Sequence, residues 1–456
     1  MRAEVRPRRS VSSIPASAAP ALLQAGIREQ GPSLFKGCLG RSLDANCIEK
    51  LLLHCGAALE KKDSTLAQQI MWVLNNIASS HGDPNQRLTS WFLRALITRA
   101  SRVCPVAMNL QRCSVGGVHL SFLGRPMSVT ELAGYVDLLP WHRFGFSASN
   151  SAISNAIQGH PRVHILDFSI THCMQWPTLI DELSRKPGAA PFVRLSVPSV
   201  RPKVPPWLNV SCEQVGQRLA NFAKSRNVPF AFRVIPIGDS ITEVGTEPYH
   251  ESIINNISVC ALGLAADEIL VVNCQNFLHY LPDEVGDPLS TNNQSARDRF
   301  LELIRGLNPK IVTVVDEDSN LGSLGLSSRI SACFNYLWIL FDALETFLPR
   351  DSTQRLDYEA DIGYKIENII AFEGLQRIER LEPSGELVER MRRAHFHSVP
   401  FGEETLAEVK CLLGEHASGW GMKKEDDIWV LTWKGHNAVF ASAWGWKGIL
   451  SPVQTD

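Results

Sequence analysis

Between residues 160 and 315 the sequence alternates short β-branched runs with amphipathic stretches, and this pattern leaves few folds open. Arg162-Val163-His164-Ile165-Leu166-Asp167 reads as a first strand, followed by a helix from Trp176 to Lys186. Phe192 to Val197 reads as a second strand. The helix expected after it, Cys212 to Arg226, carries Val215, Leu219, Phe222 and Ala223 on one face. Further strands are expected at Phe230 to Ile235, Glu268 to Asn273 and Lys310 to Val315, with helices at Ala296 to Gly306 and Ser328 to Phe347. Parallel neighbours need long crossovers and helices supply them, so the pattern predicts an α/β fold with a wound parallel sheet.

The flanks differ. From Cys47 to about residue 158 helical periodicity dominates: Leu66, Ile70, Val73, Leu74 and Ile77 fall on one helix face. Leu93, Trp91, Ala95, Leu96 and Ile97 suggest the next helix, and Val129 to Leu138 another. Short links such as His81-Gly82-Asp83-Pro84 suit a helical bundle, here an N-terminal α-helical cap whose leucines are read chiefly as core. At the other end, Ile428 to Trp433 and Ala438 to Ala443 flank a polar turn at residues 434–437, a hairpin signal. A terminal antiparallel hairpin on a Rossmann-like wound sheet is the arrangement of class I methyltransferases, an analogy of fold and not of function.

Composition excludes several classes. Hydrophobic residues make up 45% and charged residues 20%, as in a globular chain and unlike a disordered one. With 456 residues, one large capped domain or two domains are expected. The formal net charge of −2 rules out affinity for nucleic acid through bulk charge, while a local basic patch stays open. No run approaches the ~20 apolar residues of a membrane span, so a soluble protein without a membrane partner is expected. The 11 cysteines are odd in number and contain no C-x-x-C, which points to reduced, packed thiols rather than a zinc site or a disulfide framework. Residues 1–37 and 449–456 are read as tails, the first disordered because Pro7, Pro15 and Pro20 interrupt any helix.

A nucleotide cofactor needs a glycine-rich turn after the first strand and an acid after the second. The turn here is Phe168-Ser169-Ile170-Thr171-His172-Cys173-Met174-Gln175, with no glycine between Gly159 and Gly188 and no acid between Glu182 and Glu213. No G-x-S-x-G or G-x-x-x-x-G-K motif occurs, and His164 and His172 are not spaced as a metal pair. The expectation is no catalysis and no cofactor. Asp316, Glu317 and Asp318 are read as a solvated turn after the fifth strand.

The run Val163-His164-Ile165-Leu166-Asp167 inside such a sheet, flanked by leucine-patterned segments, resembles the VHIID strand of the plant GRAS family of transcriptional regulators. Residues 211–235 resemble its second leucine-rich region. Asn308 to Thr313 and Phe341 to Leu344 resemble parts of the PFYRE block, although those five letters themselves are absent. Glu373-Gly374-Leu375-Gln376-Arg377-Ile378-Glu379-Arg380 resembles the element opening the SAW block, which Trp429, Trp433 and Ser442-Ala443-Trp444 complete. An Ala-His-Phe at 394–396 replaces the family's Ala-Gly-Phe, which puts a helix-ending glycine in doubt. The resemblance implies a GRAS domain over 38–448: leucine-rich region I at 45–105, VHIID region at 131–197, leucine-rich region II at 211–243, PFYRE region at 254–370 and SAW region at 374–448.

It further implies a nuclear regulator, with the cytoplasm also open, that acts through protein contacts. The implied partners are other GRAS proteins, as homo- or heterodimers, and zinc-finger factors of the indeterminate-domain type, with DNA contacted indirectly or weakly. The alternatives are a direct sequence-specific DNA binder and, behind it, a methyltransferase-like enzyme or small-molecule receptor. Candidate partner-contact or structural residues are Trp429, Trp433 and Trp444, from a terminal stretch holding five of the 11 tryptophans, with Arg377, Glu379 and Arg380 expected on one helix. Candidate phosphate contacts are Arg185, Lys186, Arg201 and Lys203, with Arg194 in the same acid-free run and Trp207 placed to stack. No element that reads base edges is visible. Arg6, Arg8 and Arg9 are too short a cluster for a nuclear signal.

Overall fold

The computed structural model describes residues 45–104, 125–237, 249–283 and 294–446. Both tails, with Arg6 to Arg9, lie outside them. The chain opens with helices α1 (Ala45–Glu60), α2 (Ser64–Ile77), α3 (Pro84–Val103), α4 (Val129–Asp137) and α5 (Pro140–Ala156). The wound part follows as β1 (Arg162–Asp167), α6 (Trp176–Arg185), β2 (Phe192–Pro198), α7 (Cys212–Ser225), β3 (Phe230–Ile235), α8 (Tyr249–Asn256), α9 (Val259–Leu262), β4 (Ile269–Gln275), α10 (Ala296–Gly306) and β5 (Ile311–Glu317). Helices α11 (Leu326–Glu345), α12 (Thr353–Ala371) and α13 (Ser384–Arg393) lead to β6 (His397–Ser398) and α14 (Glu403–Gly414), then β7 (Trp420–Glu425), β8 (Ile428–Trp433) and β9 (His436–Gly445).

These strands form one sheet in the order β3-β2-β1-β4-β5-β9-β8-β7, with β6 against β9. The pairs from β3 through β5 are parallel; β9 runs antiparallel to β5 and to β8. This is the expected wound sheet with an antiparallel end. Two strands escaped the sequence pattern: the two-residue β6, and β7, which turns the terminal hairpin into a three-stranded meander. Its sequence, Trp-Gly-Met-Lys-Lys-Glu, is exposed or half-buried and lacks alternation, as befits an edge strand carrying lysines.

The connection at 81–84 works as a helix start. Asp83 accepts from the Gln86 N–H at 2.9 Å and Gln86 accepts from the Asp83 N–H at 3.0 Å, with Pro84 opening α3. Most of the expected apolar stripe on α2 is buried, but Leu66 is 40% exposed. The cap also recruits helices from far along the chain. Helix α11, buried nearly all round, shares one core with α1, α2, α3 and α12. Arg87 of α3 is fully buried and pairs with Glu359 of α12 at 2.9 Å and Glu345 of α11 at 2.7 Å. Removing one member of such a buried set costs about 3–5 kcal/mol.

Trp429 and Trp433 face this cap-side core while Trp444 packs on the opposite side of the sheet, so the meander is covered on both faces. All three tryptophans are at most 4% exposed. Trp433 donates to Asp342 at 2.7 Å and Trp444 to Ser442 at 2.9 Å.

Residues 394–396 show how the chain ends a helix without glycine. His395 takes a left-handed φ of 65°. Its N–H donates to the Arg392 carbonyl at 2.9 Å and the Phe396 N–H donates to Met391 at 3.0 Å, the paired bonds of a Schellman ending. His395→Gly should therefore stabilise the protein by about 0.5–1 kcal/mol, because glycine adopts that φ without penalty. A urea-unfolding midpoint that stays put or falls would contradict this.

Candidate functional site

In a wound sheet, ligands bind outside the carboxyl ends of the strands where the strand order reverses, here between β1 and β4. The VHILD residues form β1, and Val163, His164, Ile165, Leu166 and Asp167 are each at most 1% exposed. Val163 and Ile165 pack toward α6 and α7, and Leu166 toward α10. His164 donates or accepts at Ser196 Oγ at 2.7 Å. Burial, then Arg194 and Arg233, lowers its pKa to about 3, so the ring is neutral and its 3.8 Å approach to Glu268 is no ion pair.

Asp167 ends the strand, and four donors saturate its carboxylate. Oδ1 accepts from the Ser169 N–H and from Asn273 Nδ2, both at 2.9 Å. Oδ2 accepts from Ser169 Oγ at 3.0 Å and from the Trp176 indole at 2.8 Å. Asn273, at the end of β4, also donates to Gln175 at 3.0 Å and accepts from Thr313 of β5 at 2.8 Å. Gln175 donates to Asn150 of α5 at 3.0 Å. The network thus joins α5, β1, β4, β5 and the start of α6.

His172 and Cys173 take φ values of 50° and 66°, left-handed conformations that glycine occupies cheaply and other residues do not. The turn keeps the geometry of a ligand loop, but Trp176 and Cys173, each 1% exposed, fill its inside. Burial pushes the Cys173 thiol up to about 12, which leaves no thiolate to act as nucleophile. Among the described residues no three His, Cys, Asp or Glu side chains are arranged to hold a metal ion.

A second polar centre sits at the ends of β4 and β5 and corrects two expectations. Asp316 and Glu317 are 5% and 7% exposed rather than solvated. Asp316 bonds His279 Nδ1 at 2.5 Å; Lys365 of α12 reaches Glu317 at 2.6 Å and Glu379 at 3.5 Å. Burial alone would raise the Asp316 pKa, but His279 and Lys365 outweigh it and hold the group below its usual range. Arg377, Glu379 and Arg380 do not share a helix. After a single turn at Gly374–Gln376 the chain runs irregularly, because Asn368 Oδ1 captures the N–H groups of Ile378 and Glu379 at 2.9 and 3.0 Å.

All three residues are at most 2% exposed. Arg380 Nη2 donates to the Gly374 carbonyl at 2.8 Å, and Arg377 Nη1 reaches the Ser323 carbonyl at 3.3 Å. Charge pairing across 37 residues, from Asp316 to His279, and 48, from Glu317 to Lys365, was invisible in the sequence pattern; the acids alone, ending a strand, were its only signal.

The basic run does not gather into one patch. Arg185 pairs with Asp181 and Lys186 with Glu182, each one helical turn back. Arg194 lies on β2 and grips Glu268 with both arms. Lys203 is exposed, whereas Arg201 lines a cavity beside the end of β2. Arg194 meets its acid only in space, whereas the acids of Arg185 and Lys186 lie one helical turn before the run.

With this sheet and these motif positions established, comparison with known proteins decides the family. The model of the GRAS domain family matches residues 48–445. This chain belongs to the GRAS family. It is 45% identical to Scarecrow-like protein 32 of Arabidopsis thaliana over 91% of this chain and 97% of that protein. It is 32% identical to the Scarecrow-like transcription factor PAT1 of the same plant, over 86% and 75%. A crystal structure of SCL7 from Oryza sativa superposes with a TM-score of 0.69 at 25% identity, covering 87% of this chain and 99% of that one. As a GRAS protein the chain is a transcriptional regulator of the kind that acts in plant development.

Two outcomes follow from the site. Asp167→Asn turns one of the two accepting oxygens into an amide that faces two of the four donors and should cost about 2–4 kcal/mol in thermal or urea unfolding; a loss under about 1 kcal/mol would show that the network is dispensable. Burial lowers His142 and His172 to about 4 and His164 to about 3. The unfolded chain therefore binds protons that the folded chain refuses, and stability is lost as pH falls from about 6.5 towards 4. Each histidine contributes on the order of 1–2 kcal/mol of that loss by pH 5. Asp361, pushed up to about 7 by burial, opposes it and offsets one of the three. Urea midpoints measured at pH 7, 6 and 5 should fall in that order.

Proposed function

We propose that this GRAS protein regulates transcription in the nucleus as a protein-binding scaffold, joining other GRAS proteins and DNA-binding zinc-finger factors, without catalysis of its own. One observation carries the reading. Helix α2 has no charged side chain in its 14 residues, yet presents Leu66 and Trp72 at 40% and 43% exposure. A solvated helix surface normally carries charge, and an exposed tryptophan, with an exposed leucine on the same helix, is the kind of side chain that anchors an interface. The saturated Asp167 supports the absence of catalysis, since its carboxylate has no lone pair left to offer a ribose or an attacking water.

The terminal tryptophans and the Arg377–Arg380 element support the scaffold indirectly, by holding the SAW region on the sheet rather than by touching a partner. The pairing of Arg185 and Lys186 with acids weakens the direct DNA reading.

The test is the double variant Leu66→Glu with Trp72→Glu. Both side chains are exposed, so the unfolding midpoint should hold within about 2 °C. Affinity for purified GRAS or zinc-finger partners should drop at least about tenfold, or 1.4 kcal/mol. Undiminished partner capture would refute the scaffold face, and a salt-sensitive gel shift by the purified protein alone would favour direct DNA binding instead.

A further inference from the structure

The unused feature of this molecule is a cavity of about 210 Å³ at the carboxyl end of β2, between the turn after β1, the segment 199–211 and the first turns of α7. Its walls are apolar at Trp207, Leu208 and Val215 and polar at His172, Ser199 and Arg201. Two polar nitrogens here are buried without a hydrogen-bond partner: Nη1 of Arg201 and Nε1 of Trp207. The other arm of Arg201, Nη2, meets the Cys173 sulfur at 3.8 Å, and the guanidinium also interacts with the Cys212 thiol.

The guanidinium is always charged, and no carboxylate bonds to it directly. The ion pairs of the described residues do not include Arg201. Asp167 is close enough to act through space, but its oxygens are filled by four other donors. Glu213, in the first turn of α7, spends its carboxylate on Ser211 and on its own backbone N–H. His172 is neutral, since burial and Arg201 lower it to about 4 and its Nε2 donates to the Pro206 carbonyl at 3.0 Å. Burial likewise keeps the Cys173 and Cys212 thiols protonated. A buried, unpaired cation is among the costliest arrangements in a protein, and sequences retain it where something binds to it.

We propose that this cavity binds a small monocarboxylate carried on an apolar body. The planar fork of one arginine matches the two oxygens of a carboxylate. A phosphate would bring more charge than one arginine can answer, and among the described residues no second Lys or Arg lines the cavity. The volume lies below the roughly 300–1,000 Å³ of drug-sized pockets, which limits the ligand to about the size of benzoate. The body of the ligand stacks on Trp207 and Val215, whose contact excludes water and strengthens the charged pair. Rotation about the last torsions of Arg201 brings Nη1 to the ligand, and the indole N–H of Trp207 supplies a further donor. The proposal stands independently of the scaffold face on α2, which lies on the helical cap.

Isothermal titration of the full chain with sodium benzoate and sodium phenylacetate should give saturable one-to-one binding. Benzamide, a neutral mimic of the same shape, should bind at least about tenfold more weakly, a difference of 1.4 kcal/mol. Arg201→Gln should abolish the preference for benzoate over benzamide while leaving the unliganded melting temperature unchanged or raised, because the unpaired buried charge is gone. Trp207→Phe, which keeps the ring but removes the donor, should weaken benzoate several-fold and keeps the test open if Arg201→Gln fails to fold. Equal affinity for benzoate and benzamide, no saturable heat with either acid, or full benzoate affinity in Arg201→Gln would overturn the proposal. Tighter binding of inorganic phosphate would overturn the carboxylate assignment, and a sharply lowered melting temperature in unliganded Arg201→Gln would make the arginine a structural group.

Discussion

Much of this structure is organised around one carboxylate. Asp167 ends the central strand at the point where strand order reverses, and its two oxygens accept from Ser169 twice, from Trp176 and from Asn273. Through Asn273 and Gln175 the same network reaches β5 and α5. In a buried setting each of these bonds is worth more than at the surface, and losing the acceptor would strand several donors together. The place where a related sheet architecture would hold a ligand has become an internal joint.

A second set of buried charges ties the distant parts of the chain to one another. The element Glu373 to Arg380 is not a helix but a clasp. Glu373, itself exposed, faces Arg99 at 2.9 Å, while the buried Glu379 faces Lys365 and Gly374 lends its carbonyl to Arg380. Arg87 does the same work between α3 and the later helices. Buried pairs of this kind add less to net stability than their number suggests, because each ion loses its water. Their effect is on specificity, since any other packing of these helices would leave a charge unpaired. The cap is therefore continuous with the sheet.

The cavity at Arg201 departs from that rule of complete pairing. Elsewhere nearly every buried cation finds an acid or several carbonyls, and here one does not. The local elements cannot supply the partner, because Asp167 and Glu213 are already engaged. The contrast between a saturated acid and an unanswered base, both at the carboxyl ends of neighbouring strands, divides this region into a closed half and a receptive half.

The order of strands and helices was legible in the sequence, because periodicities of 2 and 3.6 residues are local properties of the chain. So was the absence of a glycine turn after β1, and the family through its motif positions. Three things were not legible. The edge strand β7 has no buried face to pattern it, Arg194 of the basic run showed no acid near it along the chain, and Asp316 with Glu317 looked solvated because polar residues at a strand end usually are. For the charges the deciding partner lies elsewhere on the chain: Lys365 for Glu317 and Glu268 for Arg194. Hydrophobic pattern sets which segments fold and how they alternate. Which charges meet, and which one is left over, depends on distances that only the packed structure creates.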